Sequence, residues 1–299
     1  MKSKYRLVAS PFVRSEGKGE IEPKRIIFLS VEGENTEYDY FRHLQRELDN
    51  NNAPIIHIEI LRHKRSDGYS APQHIVELLN EYIALKNDGV IPPEILKEFL
   101  KKYEAENISK LINNPQELDK NLRNKMEYEL FQIGIDLEYR RYLDKLGGRE
   151  GDIFAIVIDR DCKSHSRELM EWCLDICKEK KCQCYFVNPC FEFWLLLHLC
   201  NVSKQYDSKL DKFLSNDKIS SNHTFTSGEV SRLAHHGKSI TYNNFKNNYA
   251  SNITIAMARA NDFAVQLPEI IDRVGTNLPE LFLEMGFKED SERHSQENI

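Results

Sequence analysis

Long hydrophobic runs are missing from this chain of 299 residues. The longest, Phe193-Trp194-Leu195-Leu196-Leu197, is far shorter than the roughly 20 apolar residues that a helix needs to cross a bilayer. The first residues, MKSKYRLVASPF, also lack the apolar stretch of a secretory signal. We therefore expect a globular, cytoplasmic protein that has no membrane partner.

A disulfide framework is also missing. The seven cysteines are an odd number, and no two of them form a C-x-x-C pair. Cys173, Cys177, Cys182 and Cys184 lie close together in the sequence, but without that spacing a zinc site is disfavoured. We expect them to be small buried side chains in a helix and in the strand that follows it.

An excess of positive charge is absent, because 41 lysines and arginines face 47 aspartates and glutamates, which gives a net charge of −6. This balance does not exclude a nucleic-acid partner. Binding depends on local charge, and a metal ion can offset acidic residues where a phosphate lies.

What the sequence does contain is an alternation of apolar runs and amphipathic segments. This pattern predicts an α/β fold in which helices flank a mainly parallel sheet. The predicted strands cover residues 26–31, 55–61, 153–158 and 184–187. The predicted helices that follow these strands cover residues 36–48, 73–85, 166–178 and 190–199, and Asn188-Pro189 is expected to begin the last of them.

Changes of composition divide the chain into five segments. Residues 1–23 are predicted to be a flexible arm, and residues 24–86 and 151–205 carry the strand–helix alternation. Between them, residues 87–150 contain charged helical segments at 94–102 and 118–146, so a helical insertion is expected there. Residues 206–299 are predicted to be a mostly helical C-terminal extension.

Carboxylates follow two of the predicted strands. Glu32 and Gly33 come after the first, and Asp159 and Asp161 come after the third. Ligands bind beyond the carboxyl ends of parallel strands, and residues two apart in an extended segment point the same way. Asp159 and Asp161 are therefore expected to face one site, which Glu32 joins if the two strands are neighbours.

Converging carboxylates stay ionised only beside a cation, and Mg²⁺ is the hard cation that suits them, with Mn²⁺ as the second candidate. Gly33 permits a sharp turn and a close approach to a ligand. The helix that begins after it presents a partial positive charge to an anion such as phosphate. The residues alone thus predict a metal site that takes a phosphate.

Three strings together resemble the RloB-like family: V-E-G-E-x-T-E at 31–37, D-x-D at 159–161 and N-P-C-F-E-F-W-L-L-L-H at 188–198. G-T-N-L at 275–278 is similar to a weaker family motif. The resemblance covers about residues 25–85 and 150–285. It implies a toprim-type catalytic fold that acts on phosphodiesters with Mg²⁺. It also implies a role in bacterial defence against phage, beside an ABC-type or SMC-like ATPase. The family's catalytic glutamate falls on Glu32, and its metal-binding aspartates fall on Asp159 and Asp161.

Two residues of the third string are candidates for a supporting role. Glu192 lies in the first turn of the apolar helix, where it is either a fourth carboxylate near the metal or a favourable charge at a helix N-terminus. His198 shares a face with Phe191 and Trp194, so a hydrogen-bonded core histidine is favoured over a catalytic one.

Basic residues in two places are candidates for contact with nucleic acid. Arg62, Lys64 and Arg65 follow the second strand and are expected at the same end of the sheet as the carboxylates. Lys238 begins a stretch in which Tyr242 and Tyr249 add aromatic rings that could stack on bases.

Two hypotheses of different class follow. The first is a metal-dependent nuclease in which Asp159 and Asp161 hold the metal and Glu32 either shares it or acts as general base. The second is a non-catalytic sensor or adaptor that binds a partner ATPase. The sequence leaves open whether DNA or an RNA such as tRNA is cut, and whether the site takes one metal or two. It also leaves open whether a partner or a homo-oligomer restrains the activity.

Overall fold

The computed structural model describes residues 25–33, 35–50, 56–61, 72–145, 151–237 and 239–288. These residues fall into two compact units. The helical unit contains the described residues from Leu78 to Lys145. The sheet unit contains the described residues before Leu78 and those from Gly151 onward.

Five strands of the sheet unit form one sheet within the described residues. They are β1 (Arg25–Val31), β2 (Ile56–Ile60), β3 (Ile153–Asp159), β4 (Gln183–Asn188) and β5 (Gly275–Thr276). The strand order is β2-β1-β3-β4-β5, and only the pairing of β5 with β4 is antiparallel. The prediction of a mainly parallel sheet flanked by helices is confirmed. β5 was not predicted, because two residues are too few to show a strand periodicity.

Helices make up most of the rest of the described chain. They are α1 (Thr36–Asn50), α2 (Pro72–Asp88), α3 (Pro93–Lys102), α4 (Ala105–Asn113), α5 (Lys120–Gln132), α6 (Leu137–Lys145), α7 (Arg167–Lys180), α8 (Phe191–Leu199), α9 (Val202–Gln205), α10 (Leu210–Ser215), α11 (Phe225–Ala234), α12 (Tyr242–Asn248), α13 (Ile253–Ala260), α14 (Leu267–Ile270) and α15 (Leu278–Glu284). Short 3-10 turns cover Pro115–Glu117, Asp207–Lys209 and Ala250–Asn252. None of the described helices combines the length and the apolar character that crossing a bilayer requires.

The sheet is covered on both faces, as the unbroken apolar runs of its strands require. Ile27 and Leu29 of β1 belong to the main core cluster together with Tyr40 of α1. Side chains alternate along a strand, so Phe28 lies on the opposite face, where its ring stacks on that of Phe154 with centroids 5.4 Å apart. The sheet is therefore an internal layer, and the residues that follow its strands at the carboxyl edge are the ones that can reach solvent.

The apolar helix α8 lies at the centre of the sheet unit. All of its residues from Phe193 to His198 are buried, so it has no polar face. The expectation that Asn188-Pro189 begins this helix is wrong. Asn188 is the last residue of β4, its Nδ2 donates to Ile270 O at 2.6 Å, and the N-cap of α8 is Cys190. The Asn188-Pro189 peptide bond is cis.

The helices after residue 206 complete the same core. They contribute fully buried aromatic and aliphatic side chains to the cluster that contains α8, among them Phe213, Phe245, Met257, Leu281 and Phe282. This part of the chain supplies the apolar surface that a helix buried on every side needs.

The helical unit has a core of its own. Phe99, Leu111, Met126 and Leu130 are buried in it. The segment predicted as one helix over 118–146 is two helices, because the chain turns between α5 and α6 at Gly134, whose φ is +84°. The buried Arg140 of α6 donates to the carbonyls of Gly89 and Val90, at 2.9 and 2.8 Å.

The G-T-N-L string closes the edge of the sheet beyond β4. The Asn277 side chain accepts from Phe186 N at 2.8 Å and donates to Cys184 O at 3.0 Å. These two side-chain hydrogen bonds continue the pairing along β4 beyond the two residues of β5. Gly275 lies against the backbone of Ala264, since a Cβ added to Gly275 would lie 2.0 Å from Ala264 O.

Replacing Gly275 with alanine is therefore expected to lower the free energy of unfolding by about 2–3 kcal/mol, because the added methyl group meets backbone that cannot rotate away. Urea denaturation followed by circular dichroism measures the change. Gly237→Ala is the matched control, because a Cβ there has no atom within 4 Å. Equal stability of the two variants would contradict this packing.

Candidate acidic centre

Two carboxylates meet at the carboxyl edge of the sheet because β1 and β3 are parallel neighbours. Val31 pairs with Val157, so the two strands end side by side. Glu32 follows Val31, and its Oε2 accepts a hydrogen bond from Asp159 N at 3.2 Å. The structure thus brings together the first two residues of the predicted site.

Both carboxyl groups are held in surroundings that oppose ionisation. The Glu32 side chain is 13% exposed. Burial raises its pKa, the charge of Glu37 raises it further, and the hydrogen bond from Asp159 N only partly offsets these effects. Burial also raises the pKa of Asp159, followed by the charges of Glu37, Glu32 and Glu192. At this edge of the sheet, the acidic side chains repel one another and are largely shielded from solvent.

Glu37 belongs to this centre, although it is not among the residues predicted from the sequence. It is the second residue of α1 and is buried. Its carboxylate occupies the space beside Gly33: a Cβ added to Gly33 would lie 1.9 Å from Glu37 Oε2. Gly33 was expected for a sharp turn and a close ligand approach, and in the structure it makes room for Glu37. The signal was present, since Glu37 is the last residue of V-E-G-E-x-T-E.

Asp161 is placed differently from the expectation. The argument that residues two apart share a direction is wrong here, because β3 ends at Asp159 and Asp161 has a φ of 20°. Its carboxylate turns to the following residues, accepting from Ser164 Oγ at 2.8 Å and weakly from Lys163 N at 3.4 Å. Its charge still contributes to raising the pKa of Glu32, so it lies near the centre.

His165 is a second residue that the sequence did not reveal. Its Nδ1 lies 3.0 Å from Asp159 O, and because a carbonyl only accepts, Nδ1 carries the proton. Its Nε2 lies 3.6 Å from Glu32 Oε1. The buried Arg160 fixes this loop, donating to His165 O at 2.6 Å and to Ile271 O at 2.7 Å. No motif marks His165, because only the loop geometry brings it back to the strand end.

The N-terminus of α8 meets the centre from the other side. Phe191 N donates to Asp159 Oδ1 at 2.8 Å. Glu192, the next residue, lies in the first turn of α8, and its charge contributes to raising the pKa of Asp159, so it lies near the centre. Glu192 also lines a small cavity with His223 and His236.

No group of three or more histidine, cysteine, aspartate or glutamate side chains in the described part of the chain is already arranged to hold a metal ion. The acids that meet here are therefore not a formed coordination shell.

The family model described as "RloB-like protein" matches residues 27–285, which is most of the chain. This chain belongs to the RloB-like family. No curated protein and no solved structure matches it. The strings quoted above now have positions: Glu32, Glu37 and Asp159 lie at the acidic centre, residues 191–198 of the third string lie in α8, and G-T-N-L closes the sheet edge.

His198, the last residue of the third family string, is a core residue and not part of the centre. It is 2% exposed, and its Nδ1 lies 2.9 Å from Trp194 O, so that nitrogen is protonated. Its Nε2 consequently accepts from Tyr40 Oη at 3.0 Å. The expectation of a hydrogen-bonded core histidine is confirmed.

The predicted nucleic-acid contacts have two outcomes. Arg62, Lys64, Arg65 and Lys238 lie outside the described residues. Tyr249 is fully buried and cannot stack on a base, so that part of the prediction is wrong. Tyr249 follows the last residue of α12, and its ring points inward, which the polar sequence around it does not indicate.

The Gly33–Glu37 contact predicts a coupling between two substitutions. Gly33→Ala alone should lower the free energy of unfolding by about 1–3 kcal/mol, because the methyl group displaces a buried carboxylate. In a Glu37→Ala background the same change should cost less than about 1 kcal/mol, since the space is then free. Denaturation of the four proteins of this cycle measures the coupling. Additive effects would show that Gly33 serves another purpose.

His198 predicts how stability depends on pH. Burial lowers its pKa to about 3, whereas the unfolded value is about 6.5, so the unfolded state binds more protons between these values. His198 therefore does not reduce the free energy of unfolding above pH 6.5, and below that pH the free energy of unfolding falls as the pH falls. The loss should reach about 2 kcal/mol between pH 6.5 and 5.0.

The measurement compares urea denaturation of the wild type and of His198→Gln at these two pH values. The variant should lose less stability on acidification, by about the stated 2 kcal/mol. Its absolute stability does not matter, since only the pH dependence is compared. The same pH dependence in both proteins would mean that His198 is protonated in the folded state.

Proposed function

We propose that this chain is a Mg²⁺-dependent phosphodiester hydrolase, a nuclease of toprim type. The observation that supports this most is the meeting of Glu32 and Asp159 at the carboxyl edge of two adjacent parallel strands. This is the edge at which α/β sheets bind ligands. The family match supports the same reading, because the motif residues that meet here are the ones the resemblance assigns to catalysis.

The donor set fits a hard divalent cation. Glu32 and Asp159 offer carboxylate oxygens, and the pKa values of both are raised by burial and by neighbouring acids, a situation that a cation relieves. Asp159 and a turned Asp161 would hold Mg²⁺, with Mn²⁺ as the alternative, and Glu32 would either share the metal or act as general base. When bound, the metal supplies Lewis acidity toward a phosphodiester oxygen.

Residues of the chain itself would accept the proton of the attacking water and hold the carboxylates in position. Glu32 is suited to accept the proton of the attacking water, because a carboxylate with a raised pKa is a better base near neutral pH. Water adds to phosphorus as the bond to the leaving oxygen breaks, which yields an alcohol and a phosphomonoester. Asp159 N orients Glu32, and Phe191 N orients Asp159.

The biological setting that we propose rests on the family alone. It is that of an effector in bacterial defence against phage, which cuts an RNA such as tRNA or DNA and works beside an ABC-type or SMC-like ATPase. A homo-oligomer or that partner would restrain the nuclease. The second candidate function is a non-catalytic sensor or adaptor for the ATPase. One observation favours it: no metal-holding group is preformed among the described residues.

Cleavage of labelled tRNA and plasmid in Mg²⁺, with and without the neighbouring ATPase, tests the proposal. Glu32→Gln and Asp159→Asn should each lower the rate at least about 100-fold, since each removes a carboxylate that would hold the metal or take the proton of the attacking water. Neither change should lower the free energy of unfolding, because each removes a repelling buried charge.

Glu179→Gln and Asp175→Asn are the matched controls. Their side chains are 63% and 78% exposed on α7, so cleavage should keep the wild-type rate. Wild-type protein that cuts neither substrate in Mg²⁺ or Mn²⁺, even beside the ATPase, would support the adaptor instead. Undiminished cleavage by Asp159→Asn would place the active site elsewhere.

A further inference from the structure

The helical unit has a groove between α3 and α5 that nothing in the proposed chemistry uses. Its volume is about 530 Å³, and it is open to solvent. Ile95 and Phe99 of α3 form one side of its apolar lining, and Tyr128 and Ile133 form the other. Tyr128 is 64% exposed and Ile133 is 54% exposed, which is unusual for large apolar side chains. Apolar surface gathered in a concave place marks a binding site more often than scattered apolar residues do.

The rim of this groove is acidic. Glu94, Glu98 and Glu129 line it, and Lys102 is the only cation among its lining residues. Lys102 is already paired with Glu129, at 3.3 Å, and Lys101 of α3 is paired with Glu98, at 2.6 Å. Glu94 has no ion-pair partner among the described residues. A ligand that fits must therefore bring apolar side chains together with positive charge.

Residues 1–14 of the same chain have this composition. They contain Lys2, Lys4, Arg6 and Arg14 and no acidic residue. They also contain the large apolar side chains Tyr5, Leu7, Val8, Phe12 and Val13. In an extended conformation, Tyr5 and Leu7 would point to one side and Lys4 and Arg6 to the other.

We propose that the groove between α3 and α5 binds the chain's own residues 1–14. The apolar side chains would cover Ile95 and Ile133, and the cations would face Glu94 and compete with Lys101 for Glu98. The exposed ring of Tyr128 offers a face for a guanidinium group. Among the parts of the chain outside the described residues, residues 289–299 are mainly acidic and polar and 62–65 lack apolar side chains, so neither matches the groove as well.

The test is photocrosslinking in the full-length protein with p-benzoylphenylalanine in place of Tyr128. A mixture of ¹⁵N-labelled and unlabelled chains distinguishes links within one chain from links between two. We expect the crosslinked peptides to contain residues 1–14 of the same chain. The same probe in place of Ile219, which is 58% exposed in the sheet unit, should give no such product.

Charge exchange makes the test specific. Glu94→Lys together with Glu98→Lys should lower the yield of the product several-fold, and adding Lys4→Glu and Arg6→Glu should restore it. Circular dichroism checks that each variant keeps its helix content. Products that join two chains, products that lack residues 1–14, or a yield that does not respond to charge would each overturn the proposal.

Discussion

The hydrogen bond from Asp159 N to Glu32 Oε2 is the interaction on which the acidic centre depends. It joins the ends of two parallel strands and turns the Glu32 carboxylate toward Asp159 rather than toward solvent. The bond favours the ionised form of Glu32, but burial and the charge of Glu37 act more strongly in the opposite direction. The fold thus keeps acids together against their repulsion, which is a reason to expect that the arrangement serves a ligand and not stability.

The core provides the rigidity that such a centre needs. Helix α8 is buried on every side, and its first amide donates to Asp159, so the position of Asp159 is tied to the packing of the largest apolar cluster. The loop after β3 is fixed by the buried Arg160 through two backbone carbonyls. Glu37 is held at the start of α1, where Gly33 leaves it space. Each acid is therefore positioned by an element whose own place is set by burial.

The pairing of Glu32 with Asp159 could be predicted because it follows from strand order alone. Two apolar runs that end in acids, in a parallel sheet, bring those acids to one edge if the strands are neighbours. The orientation of Asp161 could not be predicted, because it depends on where β3 ends and on the turn that the chain then makes. His165 could not be predicted for the same reason, since its position depends on how the loop after β3 folds back toward the end of that strand.

Local patterns were less reliable where tertiary contacts decide the outcome. Asn188-Pro189 has the composition of a helix start, yet Asn188 is held in β4 by its bond to Ile270 O. The polar surroundings of Tyr249 suggested a surface ring, yet the ring is buried against α1 and α8. In both cases a long-range contact outweighs a preference that is worth only about 1 kcal/mol locally.

The central claim is that the acids at the sheet edge form a cation site, and the free energy of unfolding in Mg²⁺ compared with EDTA tests it most directly. A ligand that binds only the folded state stabilises it by an amount that grows with the logarithm of its concentration, by about 2.7 kcal/mol at one hundred times the dissociation constant. The account predicts such a rise for the wild type and its loss in Asp159→Asn, with Asp175→Asn behaving like the wild type. Equal stability of the wild type in Mg²⁺, in Mn²⁺ and in EDTA would contradict it.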